Sequence, residues 1–535
     1  MNRITNRARL LGSAAFGLGL AMSAASPALA DSVCATGFVP ADLTASCTDA
    51  NGNGTVNVVI GTGSSITMTT GSTSDVVVTG DYDTINTAGY VESTTAAHGV
   101  VDATSTRALT YNGTGSTLVG QAGATGALTL SLTAPSVTLN SGTLTANGAG
   151  STALSVIANG GAGSGGINAT IDGDISSTAG PAIVLNSNNA AGTQNVVVNS
   201  TAGNDITAGA GTALSITTAG SGGINVNLGG AVAATGGNGV KTFDTAAGGN
   251  ISITTAAVTA ANAGAGNAIS AISNSTTGNV TIVANGVLTA DNAGVQDALL
   301  DGTATGNISV TTNAAVNARF GIDAENFGTG TATVNAVGPI AATTGNGIFA
   351  LTSGGNVIVN AGAVTSTGNT AIIAQQTDAA QGGTVSVTGT GAISGTTGIN
   401  ATNAGLGGVT VATGAGLVTG TGSSAIIAAN SNAASTGNML VTVGAGGATS
   451  AANTVDVSTL GTGTATVVAN GAVTSTGGDA IQVDSTTGAI VVTNAGVITA
   501  GAGGDGIQAT STTGNITVNA NANISTTGIF TNSEG

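Results

Sequence analysis

The chain has few charged residues, few aromatic residues and no tryptophan. Only 5% of its 535 residues are charged and 2% are aromatic, whereas 41% are hydrophobic and 89 residues are glycine. Disordered chains are typically rich in charge and poor in apolar residues, so this composition is unlike ordinary disorder. It predicts a thin, long core and one repeat domain rather than several globular domains.

Basic residues are especially scarce. The sequence has six Lys and Arg residues against 23 Asp and Glu residues, which gives a formal net charge of −17. A chain this acidic offers no positive surface to nucleic acid or to anionic lipid, so neither is an expected partner. The acidic residues are dispersed, which favours a role in solubility, because like charges keep the strand edges of neighbouring molecules apart.

Half of the basic residues lie within the first nine residues. They are followed by an apolar stretch at 10–22 and by a small-x-small sequence that ends at Ala30. This order is typical of a secretory signal peptide at residues 1–30, and cleavage after Ala30 would leave Asp31 as the mature N-terminus. A membrane anchor is the alternative, but the apolar stretch is shorter than the ~20 residues that span a bilayer.

Cysteine is nearly absent. The two cysteines, Cys34 and Cys47, follow the predicted cleavage site, so in an oxidising compartment we expect one disulfide that stabilises a small loop by about 3 kcal/mol. A zinc site would need two more ligands, and the only histidine, His98, lies 51 residues beyond Cys47. Residues 31–124, where the repeat is irregular, are predicted to form an irregular β N-terminal cap that includes this disulfide.

Three short apolar runs recur in fixed order along most of the chain, between Gly, Thr, Asn and Ser residues. One unit has its runs at 490–492, 497–499 and 506–509, and successive units are about 26.5 residues apart on average. The second apolar residue of the first run aligns at Val226, Ile253, Ile282, Val310, Val334, Val359, Val387, Val411, Val443, Val468, Val492 and Val518. The third run keeps the same phase at Val240, Ile269, Ile322, Ile348, Ile372, Ile399, Ile426, Val455, Ile481, Ile507 and Ile529.

The runs alternate with period two, which predicts strands with one buried face. Such strands are too short to bury a core alone, but parallel stacking of the units would merge their inward Val, Ile and Ala into one interior. The sequence therefore predicts an all-β fold, a right-handed parallel β-helix (β-solenoid) at residues 125–535, with about three strands per coil of ~24–29 residues. Twelve aligned units would form a rod roughly 60 Å long. Leucine-rich and helical repeats are disfavoured by the absence of regularly spaced Leu and of amphipathic helical stretches.

A Gly-Asn pair precedes the first run in several units. Gly and Asn both tolerate the left-handed backbone of a tight corner, and stacked Asn side chains can form hydrogen-bonded ladders. The pairs are therefore predicted to be structural corners rather than catalytic groups. They lie at 249–250, 278–279, 306–307, 355–356, 437–438 and 514–515.

These features together resemble the passenger domain of a bacterial autotransporter (type V secretion). The resemblance rests on the signal sequence, the early cysteine pair, the acidic Gly-, Thr- and Asn-rich composition and the repeated β-coils. It covers residues 1–535 loosely and 198–535 best. It implies export by the inner-membrane secretion machinery, passage through an outer-membrane β-barrel, and display at the surface of a Gram-negative bacterium or release from it.

The chain departs from that family in lacking a recognisable barrel. A transmembrane barrel needs repeated strands of about ten residues with aromatic girdles, and only nine aromatic residues follow residue 30. The barrel is therefore expected either in cis on a longer chain or in trans as a separate transporter. The last repeat ends at Phe530, five residues before Gly535, without a cap, so we expect the chain to continue or to dock there.

The preferred function is non-enzymatic adhesion or cell–cell aggregation, with host or sister-cell surface ligands as partners. We expect no catalytic, cofactor-binding or metal-binding residues.

The alternative is a carbohydrate-active β-helix enzyme, a polysaccharide lyase or hydrolase, which would need paired carboxylates. Three acid pairs are spaced i and i+2, which places both carboxylates on one side of a strand. They are Asp81 with Asp83, Asp172 with Asp174, and Asp323 with Glu325. Only the last pair has a neighbouring cation, Arg319. The pair at 172–174 is explained more simply as a solvated corner.

Overall fold

Every described residue in regular secondary structure lies in a β-strand. The computed structural model describes residues 33–36, 44–48, 56–68, 76–87, 101–121, 128–161, 163–245, 248–525 and 528–533. The predicted signal peptide, with Ala30 and Asp31, lies outside these ranges. The chain divides into two units, Met1–Gly249 and Asn250–Gly535.

The second unit is a parallel β-solenoid with three strands per coil and about 26 residues per coil. Face 1 consists of Ile251–Thr255, Val280–Ala284, Ile308–Thr312, Ala332–Ala336, Val357–Ala361, Val385–Gly389, Val409–Thr413, Met439–Val443, Ala465–Ala469, Ile490–Asn494 and Ile516–Ala520. Face 2 consists of Val258–Ala260, Leu288–Ala290, Val316–Ala318, Ile340–Ala342, Val364–Ser366, Ile393–Gly395, Val418–Gly420, Ala448–Ser450, Val473–Ser475, Ile498–Thr499 and Ile524–Ser525. Face 3 consists of Ile269–Ser273, Ala293–Leu299, Phe320–Asn326, Ile348–Thr352, Ile372–Gln376, Ile399–Asn403, Ile426–Asn430, Val455–Thr459, Ile481–Ser485, Ile507–Ser511 and Ile529–Ser533. The predicted parallel β-solenoid is confirmed.

The first unit has the same three-face order from Leu109–Asn112 onward. There Val137–Asn140 pairs in parallel with Ile167–Ile171. Nearer the N-terminus, Val33–Thr36 and Thr44–Thr48 form an antiparallel pair. The strands of this unit are Val33–Thr36, Thr44–Thr48, Val56–Met68, Val76–Asn86, Val101–Ser105, Leu109–Asn112, Thr117–Gln121, Leu128–Ala134, Val137–Asn140, Thr143–Asn147, Thr152–Ala158, Ile167–Ile171, Ile175–Ser177, Ile183–Ser187, Val196–Ser200, Ile206–Ala208, Leu214–Thr218, Ile224–Leu228, Val232–Ala234 and Val240–Asp244.

Alternate side chains of each strand fill the interior of the coil. In the face 1 strand Ile308–Thr312, the first, third and fifth side chains are fully buried and the two between them are half-buried. Burial of one Val or Ile side chain contributes about 1.5–3 kcal/mol, and branched side chains suit the pleated surface of a sheet. In-register pairing extends this core, since Ile308 pairs with Ala332 of the next coil and Val310 with Val334.

The last residue of most face 3 strands in the second unit is polar and nevertheless buried. Asn326 Nδ2 donates to the carbonyl oxygen of Gly306 at 2.9 Å, and Asn403 Nδ2 donates to that of Gly383 at 2.8 Å. These bonds satisfy backbone carbonyls that water does not reach, at the corner between face 3 and face 1. The residues of this column are Ser273, Asn326, Thr352, Gln376, Asn403, Asn430, Thr459, Ser485 and Ser511.

A column of glycines forms the other half of this corner. From the second coil of the unit onward, a glycine stands two residues before each face 1 strand, at 278, 306, 330, 355, 383, 407, 437, 463, 488 and 514. A Cβ atom on Gly306 would collide with the carbonyl oxygen of Gly278, and one on Gly514 with that of Gly488. Only glycine therefore allows successive coils to approach this closely.

The Gly-Asn corners have a different cause from the one that the sequence suggests. The glycines at 249, 306, 355, 437 and 514 have no left-handed φ, so the prediction of a left-handed corner is wrong for them and close approach explains them instead. The asparagines do form ladders, through side chain to backbone bonds. Asn250 Oδ1 accepts from the backbone N–H of Asn279 at 2.8 Å, and Asn279 Oδ1 accepts from that of Asn307 at 2.8 Å.

The register corrects the sequence alignment at three positions. Val411 pairs with Val441, and Val441 pairs with Val467, so the predicted positions Val443 and Val468 are out of phase. The strands Met439–Val443 and Ala465–Ala469 have apolar residues at adjacent positions, so the sequence alone does not show which of them point inward. The sequence alignment also omits one third run, whose first inward residue is Val295, opposite Ile269.

The glycine column predicts a position-specific loss of stability. We expect Gly383→Ala to lower the opening free energy of the adjoining face 1 strands by about 2 kcal/mol, because the new Cβ would collide with the backbone of Gly355. Gly382→Ala is the matched control, since a Cβ there meets nothing within 4 Å. Native-state hydrogen exchange of Val357–Ala361 and Val385–Gly389 measures the difference. Equal protection in the two variants would contradict the close-approach account.

Candidate functional site

The outer side of face 1 in the second unit carries no charged residue. Its outward positions are the second and fourth residues of each strand, and most are Ser, Thr, Asn or Val. Some of the amides at this face and at its edge stack: Asn360 Nδ2 donates to Asn335 Oδ1 at 2.8 Å, and Asn313 Nδ2 donates to Asn285 Oδ1 at 2.8 Å. Face 1 is therefore an uncharged surface of repeated hydroxyl and amide groups.

Asp323 and Glu325 lie on the outer side of face 3, in strand Phe320–Asn326, where the burial of side chains alternates. Both carboxylates thus lie on the same side of the strand, as their spacing predicts. Burial, with a smaller contribution from repulsion by Glu325, raises the pKa of Asp323 to about 7. Burial also raises the pKa of Glu325. One carboxylate oxygen, Asp323 Oδ1, is buried without a hydrogen-bond partner.

Asp297 lies inside the coil, on the preceding strand of face 3. It pairs with Ala271 of one neighbouring coil and Ala324 of the other, so a carboxylate occupies a position that alanine fills on both sides. Its side chain is 1% exposed and both carboxylate oxygens lack hydrogen-bond partners. Burial, and then repulsion by Asp323, raises the pKa of Asp297 well above its usual value. Burial of an unpaired carboxylate disfavours its charged form, so Asp297 keeps its proton to higher pH than an ordinary aspartate.

The predicted neighbouring cation, Arg319, makes its contacts elsewhere. Its Nε donates to Thr344 Oγ1 at 3.1 Å, and its guanidinium carbon lies 5.2 Å from the centroid of the Phe320 ring. The geometry is that of a cation–π contact at an exposed corner.

A second acidic group lies further along face 3. Asp456 and Asp484 are outward residues of neighbouring strands, Val455–Thr459 and Ile481–Ser485. Burial, and then repulsion by Asp484, raises the pKa of Asp456. Asp484 Oδ2 accepts a hydrogen bond from Gln482 Nε2 at 2.8 Å.

The predicted pair Asp172 and Asp174 is a structural corner. Both residues lie between a face 1 strand and a face 2 strand of the first unit. Asp172 Oδ1 accepts from the backbone N–H of Gly142 at 2.9 Å, and Asp174 Oδ1 accepts from that of Asp205 at 2.9 Å. The carboxylates therefore join successive coils. Asp81 and Asp83 lie in strand Val76–Asn86, but their side chains are outside the described part of the structure.

The backbone places the two cysteines opposite each other. Cys34 pairs with Cys47 in the antiparallel pair of strands near the N-terminus, a separation of backbones that a disulfide can span. The bond itself stays a prediction.

Within the described ranges, no group of three or more His, Cys, Asp or Glu side chains is arranged to hold a metal ion. Over the same ranges, no helix is long and apolar enough to cross a membrane.

Sequence reasoning missed Asp297, Asp456 and Asp484 as members of face 3. For Asp297, the repeat itself contains the information that would have placed it on face 3. Once Val295 is aligned with Ile322, Asp297 coincides with the inward Ala324 and Gln296 with the outward Asp323. The third run was overlooked there because Gln and Asp interrupt it.

The buried acids predict that stability decreases as pH rises. An unfolded Asp loses its proton near pH 4, whereas folded Asp297 and Asp323 retain theirs to higher pH. The free energy of unfolding should therefore fall as the pH rises above about 4. The part of this fall that comes from Asp323 should end near pH 7, where its folded form also loses the proton. We expect Asp297→Ala to raise the melting temperature at pH 7 and to flatten its pH dependence, with a gain of about 1–3 kcal/mol.

The control for this measurement is Asp301→Asn, which removes an exposed carboxylate whose hydrogen bonds with Thr303 lower its pKa. That variant should not raise the melting temperature at pH 7. A melting temperature that is lower in Asp297→Ala than in the unmodified chain at every pH would show that Asp297 has a stabilising partner and would refute the account.

No family model matches the chain, and comparison with curated proteins and with solved structures gave no match either. A functional proposal for this β-solenoid therefore depends on its own residues and geometry.

Proposed function

We propose that the chain is an exported, non-enzymatic β-solenoid of the autotransporter passenger type that acts in adhesion or cell–cell aggregation. One observation carries the proposal: the uncharged outer side of face 1 in the second unit repeats Ser, Thr and Asn on strands that stack in register. Neighbouring parallel strands lie about 4.8 Å apart, so hydroxyl and amide groups recur at that spacing.

Adhesion by such a surface depends on repetition. A single Thr or Asn contact with a glycan or a protein surface is weak, because it replaces a hydrogen bond with water. Many contacts on one rigid surface gain affinity, since the first contact raises the effective concentration of the others. The outward residues Ser309, Thr311 and Thr333, on two successive strands, are of this type. The ligands would be host or sister-cell surfaces.

Export is supported by the predicted signal peptide at residues 1–30, which would engage the inner-membrane secretion machinery. An outer-membrane transporter, in cis or in trans, would complete the passage in a Gram-negative bacterium. The opposed positions of Cys34 and Cys47 fit an oxidising compartment. The proposed location is the cell surface or the extracellular medium.

A carbohydrate-active enzyme is the second candidate, and the pKa of about 7 at Asp323 favours it. A carboxylic acid with a pKa near neutral pH suits a general acid, and Glu325 lies on the same side of the strand. Against this candidate, Arg319 contacts Thr344 and the Phe320 ring.

We expect bacteria that display the chain to adhere to one another or to host cells, and we expect charge on face 1 to abolish this. The variant Thr281→Lys with Thr333→Lys places two cations on the outer side of face 1, two coils apart. The matched control, Thr289→Lys with Ala341→Lys, places them on face 2 of the same two coils. Cell-settling and host-cell adhesion assays measure the effect, and circular dichroism checks that both variants fold.

Adhesion that is absent from the unmodified chain, or lost equally in both double variants, would contradict the assignment to face 1. Cleavage of a glycan panel that is lost in Asp323→Asn would instead support the enzyme.

A further inference from the structure

The outer side of face 3 in the second unit has an apolar centre. Outward side chains on successive strands are Phe349 and Leu351, then Ile373, and Ile427 two coils later. All four are half-buried by their neighbours. Asn400 lies between Ile373 and Ile427, and its Oδ1 atom is buried without a hydrogen-bond partner. The neighbouring apolar side chains thus exclude water even from Asn400 Oδ1.

Carboxylates flank this apolar centre on both sides along the direction in which the coils stack. Asp323 pairs with Phe349 and Glu325 pairs with Leu351 of the next coil. At the other end, Ile427 pairs with Asp456, and Asp484 lies one coil further. This surface, from Asp323 to Asp484, is the face 3 patch.

The charges of the face 3 patch are not neutralised by basic residues of its own unit. Residues 250–535 contain a single Lys or Arg, Arg319, against eleven Asp and Glu. Arg319 lies at the corner before strand Phe320–Asn326 and contacts Thr344 and the Phe320 ring. A cationic partner would therefore meet uncompensated carboxylates at both ends of the patch.

The dimensions of the face 3 patch define the partner further. Five strand-to-strand steps separate Asp323 from Asp456, which corresponds to about 24 Å. An α-helix of about 16 residues has this length. The two outward columns of each strand are roughly 7 Å apart, so a helix about 10 Å wide can lie over both columns.

We propose that the face 3 patch binds an amphipathic α-helix of a partner protein, with apolar residues along its middle and Lys or Arg in its first and last turns. The apolar stripe of the helix covers Phe349, Leu351, Ile373 and Ile427. Its basic ends pair with Asp323 and Glu325 at one end and with Asp456 and Asp484 at the other.

Other occupants fit less well. An extended peptide cannot join the sheet here, because the strands from Ile348–Thr352 to Ile426–Asn430 are paired on both sides. A second copy of this unit would bring further carboxylates and one arginine. A neutral glycan would find a single aromatic side chain, Phe349, although Gln375, Asn400 and Thr402 also point outward at the centre of the patch.

The test uses the full 535-residue chain and a synthetic 18-residue peptide, acetylated and amidated at its ends. The peptide has Lys in its first and last turns and Leu at helical spacing between them, with Ala and Gln elsewhere. A scrambled peptide of the same composition is the control. We expect fluorescence anisotropy to show binding at least about tenfold tighter for the amphipathic peptide.

Substitutions on the chain locate the site. Phe349→Ser, at the centre of the patch, should weaken binding about tenfold, and Asp323→Asn and Asp456→Asn should each weaken it severalfold. Asp102→Asn is the matched control, because it removes an exposed outward carboxylate from strand Val101–Ser105 of the first unit; its affinity should be unchanged. All four residues point outward, so circular dichroism should show the same fold in every variant.

Three results would overturn the proposal. Equal affinity for the scrambled peptide would show diffuse attraction of a basic peptide to an acidic chain. Unchanged affinity in Phe349→Ser would place the binding elsewhere. Self-association in sedimentation that is lost in Phe349→Ser, without peptide binding, would assign the patch to a second copy.

Discussion

The corner between face 3 and face 1 is the constraint on which the rest of the second unit depends. There the backbone of each coil lies against the backbone of the next, and only glycine leaves the space, as at Gly306 and Gly330. The inward carbonyl oxygens at this corner cannot reach water. Buried side chains replace the water: Thr352 Oγ1 donates to Gly330 at 2.9 Å and Asn430 Nδ2 donates to Gly407 at 2.7 Å. Close stacking and satisfied hydrogen bonds together set the register, and the register aligns every column inside and outside the coil.

Because the register depends on inward residues and on the corner, the outward residues are free to vary. Inward positions hold mainly Val, Ile and Ala, with buried Ser, Thr and Asn at the ends of strands, since any change there affects the neighbouring coils. Outward positions affect only the surface, so face 1 can be uncharged while face 3 carries an apolar centre between two acidic groups. In the second unit Asp297 is unusual, because an acid occupies an inward position beside Ala271 and Ala324. The fold tolerates it in the protonated form, at a cost that grows as pH rises.

The sequence predicted the fold to the level of three strands per coil and most of the register. It did so because Val and Ile at alternate positions repeat in two independent runs, and chance does not produce that phase. The register failed at Val443 and Val468, where Met439–Val443 and Ala465–Ala469 have apolar residues at both inward and outward positions. The buried polar column could not be predicted, since Asn326 and Asn403 resemble loop residues in the sequence. The face 3 patch was not predicted either, because its residues are about 26 positions apart in the sequence and become neighbours only when the coils stack.

In-register stacking of the coils is the central claim, and a cysteine cross-link tests it most directly. Thr333 and Ile358 are outward residues that pair on adjacent strands of face 1, at a distance that a disulfide spans. Thr333→Cys with Ile358→Cys should therefore give a cross-linked peptide in mass spectrometry after mild oxidation. Thr333→Cys with Ser386→Cys, two coils apart and about 10 Å away, should give none. Cross-linking of the second pair but not the first would contradict the register and, with it, the alignment of the faces.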